Sequence, residues 1–281
     1  MNVIMSMFLG LVQGIAEFLP VSSSGHLSIL QNLLNLDYSE ENHLLFEVFL
    51  HLATLISVCV VYRQDIKAML SGGVDFLRKR ADNDTGDPVM LSPPGRTLFF
   101  VIVGTIPLLV AVIFYKQISR LFFNTGFIGF SLIMTGVLLF VSDKFVPHGQ
   151  KTDKTMTIAD AILIGLAQAV AIIPGLSRSG TTIAVGLSRG LTGNFAVRFS
   201  LLLSIPAIIG SLIVTLFSTV RGGADFSLLP TYLAGFVIAA VVGFFAIQIL
   251  RILMNKGKFG NFAYYCWGIG ALTLILSFVI R

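Results

Sequence analysis

Two stretches of the chain place chemically reactive side chains inside apolar, helix-forming sequence. Residues 13–26 read QGIAEFLPVSSSGH, and residues 168–182 read QAVAIIPGLSRSGTT. Each stretch begins as an apolar helix, breaks at a proline and continues through serines and a glycine. Polar and ionisable groups are expensive at membrane depth, so we interpret both breaks as functional.

The first break contributes a carboxylate, hydroxyl groups and an imidazole. Glu17 lies one turn after Gln13 on the same helical face, where it could bind a metal, act as a general base or orient a neighbouring group. Oxygen ligands of this kind suit Mg²⁺ or Ca²⁺, and Gln13 adds only an amide oxygen. Ser22 and Ser23 could cap the next helix or bind an anion there. His26 could attack phosphorus as a nucleophile or serve as the base for a serine.

The second break contributes a cation. Arg178 stands between Ser177 and Ser179, just after a Pro-Gly pair, and Thr182 follows one turn later. A guanidinium suits phosphate geometry, and the neighbouring hydroxyl and backbone N–H groups complete an anion-binding cradle. Taken together, the two breaks supply the positioning and charge stabilisation that phosphoryl transfer needs.

The composition indicates the setting in which these groups act. The 281 residues are 55% hydrophobic and 12% charged, with a mean hydropathy of +0.89, whereas soluble domains carry about 25% charged residues. The chain is therefore predicted to be an all-α polytopic membrane protein. Its net charge of +5 is better explained by loop residues that orient the chain than by nucleic-acid binding. We interpret Cys59 and Cys266 as packing residues, and we do not expect a removable signal peptide.

We expect six full spans and two broken hairpins. Short helices flank each break, and none is long enough to cross about 30 Å of hydrocarbon, which favours re-entrant hairpins. The hairpins are predicted over residues 3–19 with 26–36 and 158–173 with 177–190, and the spans over residues 45–62, 97–115, 124–142, 198–218, 229–250 and 262–280. Residues 63–96 are interpreted as a polar loop. Glu47 and His51, at positions i and i+4 of the first span, could line the mouth of the first hairpin, but we favour an interfacial pair.

The two halves of the chain match at a constant offset of 155 residues. The matched residues are Gly10 with Gly165, Leu11 with Leu166, Gln13 with Gln168, Ala16 with Ala171, Ser22 with Ser177, Ser24 with Ser179 and Gly25 with Gly180. We therefore predict one membrane domain over residues 1–281, with repeats 1–142 and 158–281 joined by linker 143–157. Each half is a re-entrant helical hairpin plus three transmembrane helices, so the second repeat is inverted and the site lies near the midplane.

The distribution of basic residues predicts the orientation. Of the 19 Lys and Arg residues, fourteen fall on one side of this topology and four on the other, while Arg178 lies within the second hairpin. The basic side faces the cytoplasm. Both termini and the mouth of the first hairpin then face outward, towards the periplasm. The count is unaffected if residues 3–36 cross the membrane once instead of folding back.

Both breaks resemble the motifs of a known family. Residues 13–26 look like the (E/Q)xxxE and PVSSxGH signature of bacterial undecaprenyl pyrophosphate phosphatases of the bacitracin-resistance type, and residues 174–182 resemble the family's PGxSRSxxT motif. Motif order and spacing agree along the whole chain. The resemblance implies an enzyme of the bacterial inner membrane that converts undecaprenyl pyrophosphate to undecaprenyl phosphate. It also implies a divalent cation and a role in recycling the lipid carrier for cell-wall synthesis.

The resemblance also assigns roles by position. Glu17 matches the essential carboxylate, and Gln13 holds a position that is acidic or amide in the family, so both are expected near the metal. Ser23 and His26 match the nucleophile candidates. Arg178 matches the residue that binds pyrophosphate, with Ser177, Ser179, Thr182 and Ser22 expected to help bind substrate.

Several alternatives stay open at this point. A transporter or flippase of a phosphorylated lipid or anion could use the same inverted repeat, although it would not need the Glu–Ser–His set. The nucleophile could be Ser23, His26 or a water molecule activated by Glu17. The expected partners are a polyprenyl pyrophosphate lipid and the bilayer, and the sequence leaves open whether the protein forms a homodimer.

Overall fold

The chain is a bundle of α-helices whose bounds follow its apolar segments. The structure, a computed structural model, describes residues 2–33, 40–81, 91–114, 117–118, 120–147, 149–222 and 228–279. The α-helices in these residues are α1 Val3–Phe18, α2 Ser23–Leu33, α3 Glu40–Val61, α4 Arg63–Ala81, α5 Pro93–Ile113, α6 Thr125–Lys144, α7 Ile158–Val170, α8 Arg178–Ser188, α9 Gly193–Gly222, α10 Leu229–Asn255 and α11 Phe262–Val279. No β-strand occurs in this part of the chain, which confirms the predicted all-α class.

Five helices are long and apolar enough to cross a membrane. They are α5, α6, α9, α10 and α11, and they coincide with five of the six predicted spans. Helix α3 becomes a sixth candidate when it is counted together with α4. The protein is thus a multi-pass helical membrane protein.

The prediction of a polar loop over residues 63–96 is wrong for its first half. Helix α4 occupies Arg63–Ala81 and lies at 77° to α3. Its apolar residues recur every three or four positions, at Ile66, Met69, Leu70, Val74 and Leu77, which is the pattern of an amphipathic helix. Because the segment also carries many charged residues, its sequence favoured the interpretation as a polar loop. Residues 82–90 lie outside the described part of the chain.

Both predicted breaks fall between short helices. Helices α1 and α2 contain 16 and 11 residues, and α7 and α8 contain 13 and 11. Even the longest extends only about 24 Å at 1.5 Å per residue, short of about 30 Å of hydrocarbon. The first break bends at Ser22, whose φ of 72° is strained for a residue with a side chain. The second bends at Gly175, whose φ of 90° glycine adopts readily.

Equivalent serines cap the helices that follow the two breaks. The Gly25 N–H donates to Ser22 Oγ at 3.2 Å, and the Gly180 N–H donates to Ser177 Oγ at 3.1 Å. These two pairs lie at the 155-residue offset found in the sequence. Each cap satisfies one of the free N–H groups at a helix N-terminus.

The first helix of each pair packs against a long helix through facing glycines. Helix α1 packs on α10, and α7 packs on α5. A Cβ atom on Gly10 would overlap the backbone of Gly235, and one on Gly165 would overlap the backbone of Gly104. Only glycine permits backbones to approach this closely, as in other small-residue contacts between membrane helices. These two crossings fix where the breaks lie in the bundle.

An ion-pair cluster ties the linker to the second helical pair. Lys151 Nζ and Arg189 Nε each lie 2.9 Å from a carboxylate oxygen of Asp160, which is fully buried. The Thr157 side chain and Asp160 also form a reciprocal cap at the start of α7. The Lys151 N–H donates to Gly190 O at 2.9 Å. The linker is therefore part of the packed structure.

Candidate active site

The two breaks meet in the interior of the bundle. A Cβ atom on Gly25 would lie 3.0 Å from Gly175 Cα, and a Cβ atom on Gly180 would lie 3.1 Å from Pro20 Cβ. Each break is the tip of a pair of short helices, and a glycine of each tip contacts a glycine or proline of the other tip. This contact brings side chains from the two halves of the chain within hydrogen-bonding distance.

Glu17 is the centre of the resulting cluster. Its Oε2 accepts a hydrogen bond from Ser23 Oγ at 2.6 Å and another from Gln13 Nε2 at 3.1 Å. Its Oε1 accepts from Nη2 of Arg178, 161 positions later in the chain. The Glu17 side chain is only 3% exposed. A carboxylate this buried needs such partners, and the cation is the strongest of them.

Arg178 is placed to bind an anion. It is the first residue of α8, so free N–H groups and the positive end of the helix dipole surround it. Its side chain keeps 23% exposure, in contrast to the enclosed Glu17. The guanidinium therefore has donors left that an incoming phosphate can reach.

The predicted substrate-binding hydroxyls bond mainly within the protein. Ser177 Oγ caps α8 and lies 3.3 Å from Ser179 Oγ, and Ser22 Oγ lies 3.4 Å from Ser24 Oγ. Thr182 Oγ1 donates to Arg178 O at 2.8 Å. The structure thus brings Gln13, Glu17, Ser23 and Arg178 directly together, while these hydroxyls hold the tips in shape.

His26 is bound at both ring nitrogens. Nδ1 lies 2.8 Å from Ser22 O, and Nε2 lies 2.8 Å from the hydroxyl of Tyr265 on α11. A carbonyl oxygen only accepts, so Nδ1 carries the proton, and in a neutral imidazole Nε2 then accepts from the phenol. The two rings are also stacked, with 5.6 Å between centroids and 9° between planes.

Two further residues lie beside this cluster: Tyr265, which the sequence did not predict, and His51, for which a place at the mouth of the first hairpin was the alternative to an interfacial pair. His51 Nε2 lies 4.0 Å from Glu17 Oε2, and His51 Nδ1 donates to the main-chain oxygen of Glu47 at 2.9 Å. His51 therefore faces the site, and the expected interfacial pair with Glu47 uses backbone instead of a carboxylate. A histidine inside an apolar span was the available signal. Tyr265 carried no comparable signal, because tyrosine is common near membrane interfaces.

The donor set fits a divalent cation only in part. Glu17 is the single carboxylate of the cluster and already neutralises Arg178. Gln13 Oε1 is buried and has no hydrogen-bond partner among the residues that the structure describes, so it is one available oxygen ligand. Among the described residues, no group of three His, Cys, Asp or Glu side chains could hold a metal ion. Further oxygen ligands would have to come from an anionic substrate.

Fold and site together define a multi-pass membrane protein with a carboxylate–hydroxyl–guanidinium cluster enclosed between two helical tips. The family model of the bacitracin resistance protein BacA matches residues 6–272. The chain belongs to this family.

Two relatives match the chain over nearly its whole length. The chain is 38% identical to an undecaprenyl-diphosphatase of Carboxydothermus hydrogenoformans, over 99% of this chain and 98% of the relative. It is 40% identical to an undecaprenyl-diphosphatase of Methanobrevibacter smithii with the same coverage. Similarity of this extent covers both breaks and all of the candidate spans.

Proposed function

We propose that this protein is a membrane phosphatase that hydrolyses undecaprenyl diphosphate to undecaprenyl phosphate and inorganic phosphate. This reaction recycles the lipid carrier of cell-wall synthesis. The observation that carries the proposal is the contact of Ser23 and Arg178 with the two oxygens of one buried carboxylate, Glu17. Family membership and the named activity of the relatives point to the same chemistry.

We assign Ser23 as the nucleophile and Glu17 as its base. The Ser23 hydroxyl already donates to Glu17 Oε2 at 2.6 Å, within the range needed for proton transfer. A diphosphate that binds Arg178 competes with Glu17 for the guanidinium and frees the carboxylate to accept a proton. Ser23 Oγ then bonds to the terminal phosphorus, its proton passes to Glu17, and undecaprenyl phosphate leaves. Water next hydrolyses the phosphoserine to release phosphate.

Arg178 supplies charge stabilisation in both steps. Its fork-shaped donors face the equatorial oxygens of the transferring phosphoryl group, where negative charge is spread in the transition state. The N–H groups at the start of α8 add to the same field. His26 is a less direct candidate nucleophile, because Tyr265 already occupies its Nε2.

A divalent cation is proposed to bind together with the substrate. Gln13 Oε1 and Glu17 would be its protein ligands, and the diphosphate would have to provide the remaining oxygens. When bound, Mg²⁺ or Ca²⁺ would neutralise phosphate charge.

We also propose that the two halves form an inverted repeat of re-entrant hairpins. Equivalent features of the two halves support this arrangement: the serine caps of α2 and α8 and the glycine contacts between the two tips. In addition, the first helix of each half packs through a glycine on a long helix of the other half, α1 on α10 and α7 on α5. The excess of Lys and Arg on one side then orients the protein in the inner membrane with both termini outside. The site opens towards the periplasm.

The decisive experiment is phosphate release from a polyprenyl diphosphate by the purified protein in detergent, with Mg²⁺, Ca²⁺ or a chelator. We expect metal-dependent release that Ser23→Ala abolishes. Ser188→Ala is the matched control, since Ser188 is exposed at the end of α8. A transporter or flippase would release no phosphate, which would refute the enzyme. A fully active Ser23→Ala protein would instead exclude Ser23 as the nucleophile.

A further inference from the structure

A tyrosine outside both motifs holds the histidine of the site. Tyr265 lies on α11, 239 positions from His26 in the chain, and its hydroxyl is 2.8 Å from His26 Nε2. The phenol ring also stacks on the imidazole. The contact is therefore made in two ways, through a polar atom and along a ring face.

The other side of the imidazole is fixed by the strained backbone of the first tip. Ser22 has a φ of 72°, and its carbonyl oxygen accepts both from the His26 N–H at 3.2 Å and from His26 Nδ1 at 2.8 Å. The tip thus sets which nitrogen carries the proton. The remaining lone pair lies on Nε2, which is the atom that Tyr265 contacts.

We infer that Tyr265 is a positioning residue for His26. It keeps the imidazole in one rotamer and one tautomer by donating a hydrogen bond to the Nε2 lone pair and by stacking on the ring. Fixing a ring in advance removes the entropy loss that its ordering would otherwise add to the reaction barrier. The inference rests on the proposed phosphatase activity and adds to it that His26, on the same tip as Ser23, contributes to turnover.

The test compares two neighbouring tyrosines. Tyr265→Phe keeps the ring and its stacking but removes the hydroxyl, whereas Tyr264→Phe changes an exposed residue that contacts Phe140 and Trp267 instead. Loss of one hydrogen bond in the site should lower kcat about tenfold. KM should change less than about threefold, because Tyr265 acts on His26 and not on the bound lipid. Tyr264→Phe should match the unmodified protein.

Two further measurements separate positioning from a general structural effect. In a His26→Gln background, Tyr265→Phe should cause no further loss, since the residue that it positions is absent. In nitrogen-15 NMR spectra of histidine-labelled protein, the His26 Nε2 resonance should shift in Tyr265→Phe and stay in place in Tyr264→Phe. An unchanged kcat, losses that multiply in the double variant, or an unmoved resonance would each overturn the inference.

The NMR measurement also keeps this inference distinct from the proposed function. It needs neither substrate nor turnover. A protein that released no phosphate would refute the phosphatase proposal, while the resonance would still show whether Tyr265 holds His26.

Discussion

The pairing of Glu17 with Arg178 can be tested by a double-mutant cycle. The two partners differ in enclosure, since the Glu17 side chain is 3% exposed and that of Arg178 is 23% exposed. Breaking a fully buried ion pair costs about 3–5 kcal/mol, mostly because one charge is left without a partner. The cost should therefore depend on which residue is removed.

Removal of the cation should be the more damaging change. Of its described partners, Arg178→Gln leaves the enclosed carboxylate with Ser23, Gln13 and the more distant His51, so we expect a loss of about 3 kcal/mol. Glu17→Gln leaves a guanidinium that water can still reach, and we expect about 1–2 kcal/mol. The double variant should be about 2 kcal/mol less destabilised than the sum of the two singles, because it leaves neither charge unpaired.

The assay is reversible unfolding in mixed detergent micelles, followed by helical circular dichroism. As a control, Lys258→Gln makes the same change in net charge as Arg178→Gln at an exposed position. It should change stability by less than about 0.5 kcal/mol. Both site variants should lower kcat at least about a hundredfold. A greater loss of unfolding free energy in Glu17→Gln than in Arg178→Gln would refute this prediction. Losses that simply add in the double variant would also refute it.

The remaining predictions concern the scaffold. Gly10→Val should destabilise the fold by about 2 kcal/mol or more, because it forces α1 away from α10. Gly210→Ala, whose new Cβ meets no described atom within 4 Å, should not destabilise the fold in the same unfolding assay. Burial of Asp160 opposes its ionisation, but hydrogen bonds from Lys151, Thr157 and Arg189 outweigh burial and lower the pKa of Asp160 to about 2. Its contribution, up to about 2 kcal/mol, is full above about pH 4 and is lost as the pH falls through about 2. The difference in unfolding free energy between the protein and Asp160→Asn should shrink over that range, and a constant difference would contradict this view.

Much of the site could be predicted because its residues violate the composition around them. Glu17 and Arg178 are ionisable groups in apolar sequence, and such groups persist at membrane depth only with partners or a role. The offset of 155 residues also indicated that the two breaks are equivalent positions. The sequence also predicted that the two breaks form one site, but not the direct bond between Glu17 and Arg178, because that bond depends on how the helices pack.

The features that the sequence did not predict depend on long-range packing or on a weak periodic pattern within a charged segment. Tyr265 joins the site only because α11 passes His26, and no local motif marks it. His51 was assigned to an interface because its i, i+4 neighbour Glu47 offered a simpler partner. Helix α4 was not predicted because its many charged residues favour a polar loop, although its apolar residues recur with the period of a helix.

The origin of the central ion pair in opposite halves of the chain bears on biosynthesis. Glu17 is translated 161 residues before Arg178, and an unpaired carboxylate is unfavourable in lipid. During that interval the first tip must keep its carboxylate protonated or in contact with water. Arrival of the second tip ends this condition, so the Glu17–Arg178 pair can form only after the chain has been translated through Arg178, with three candidate spans still to follow.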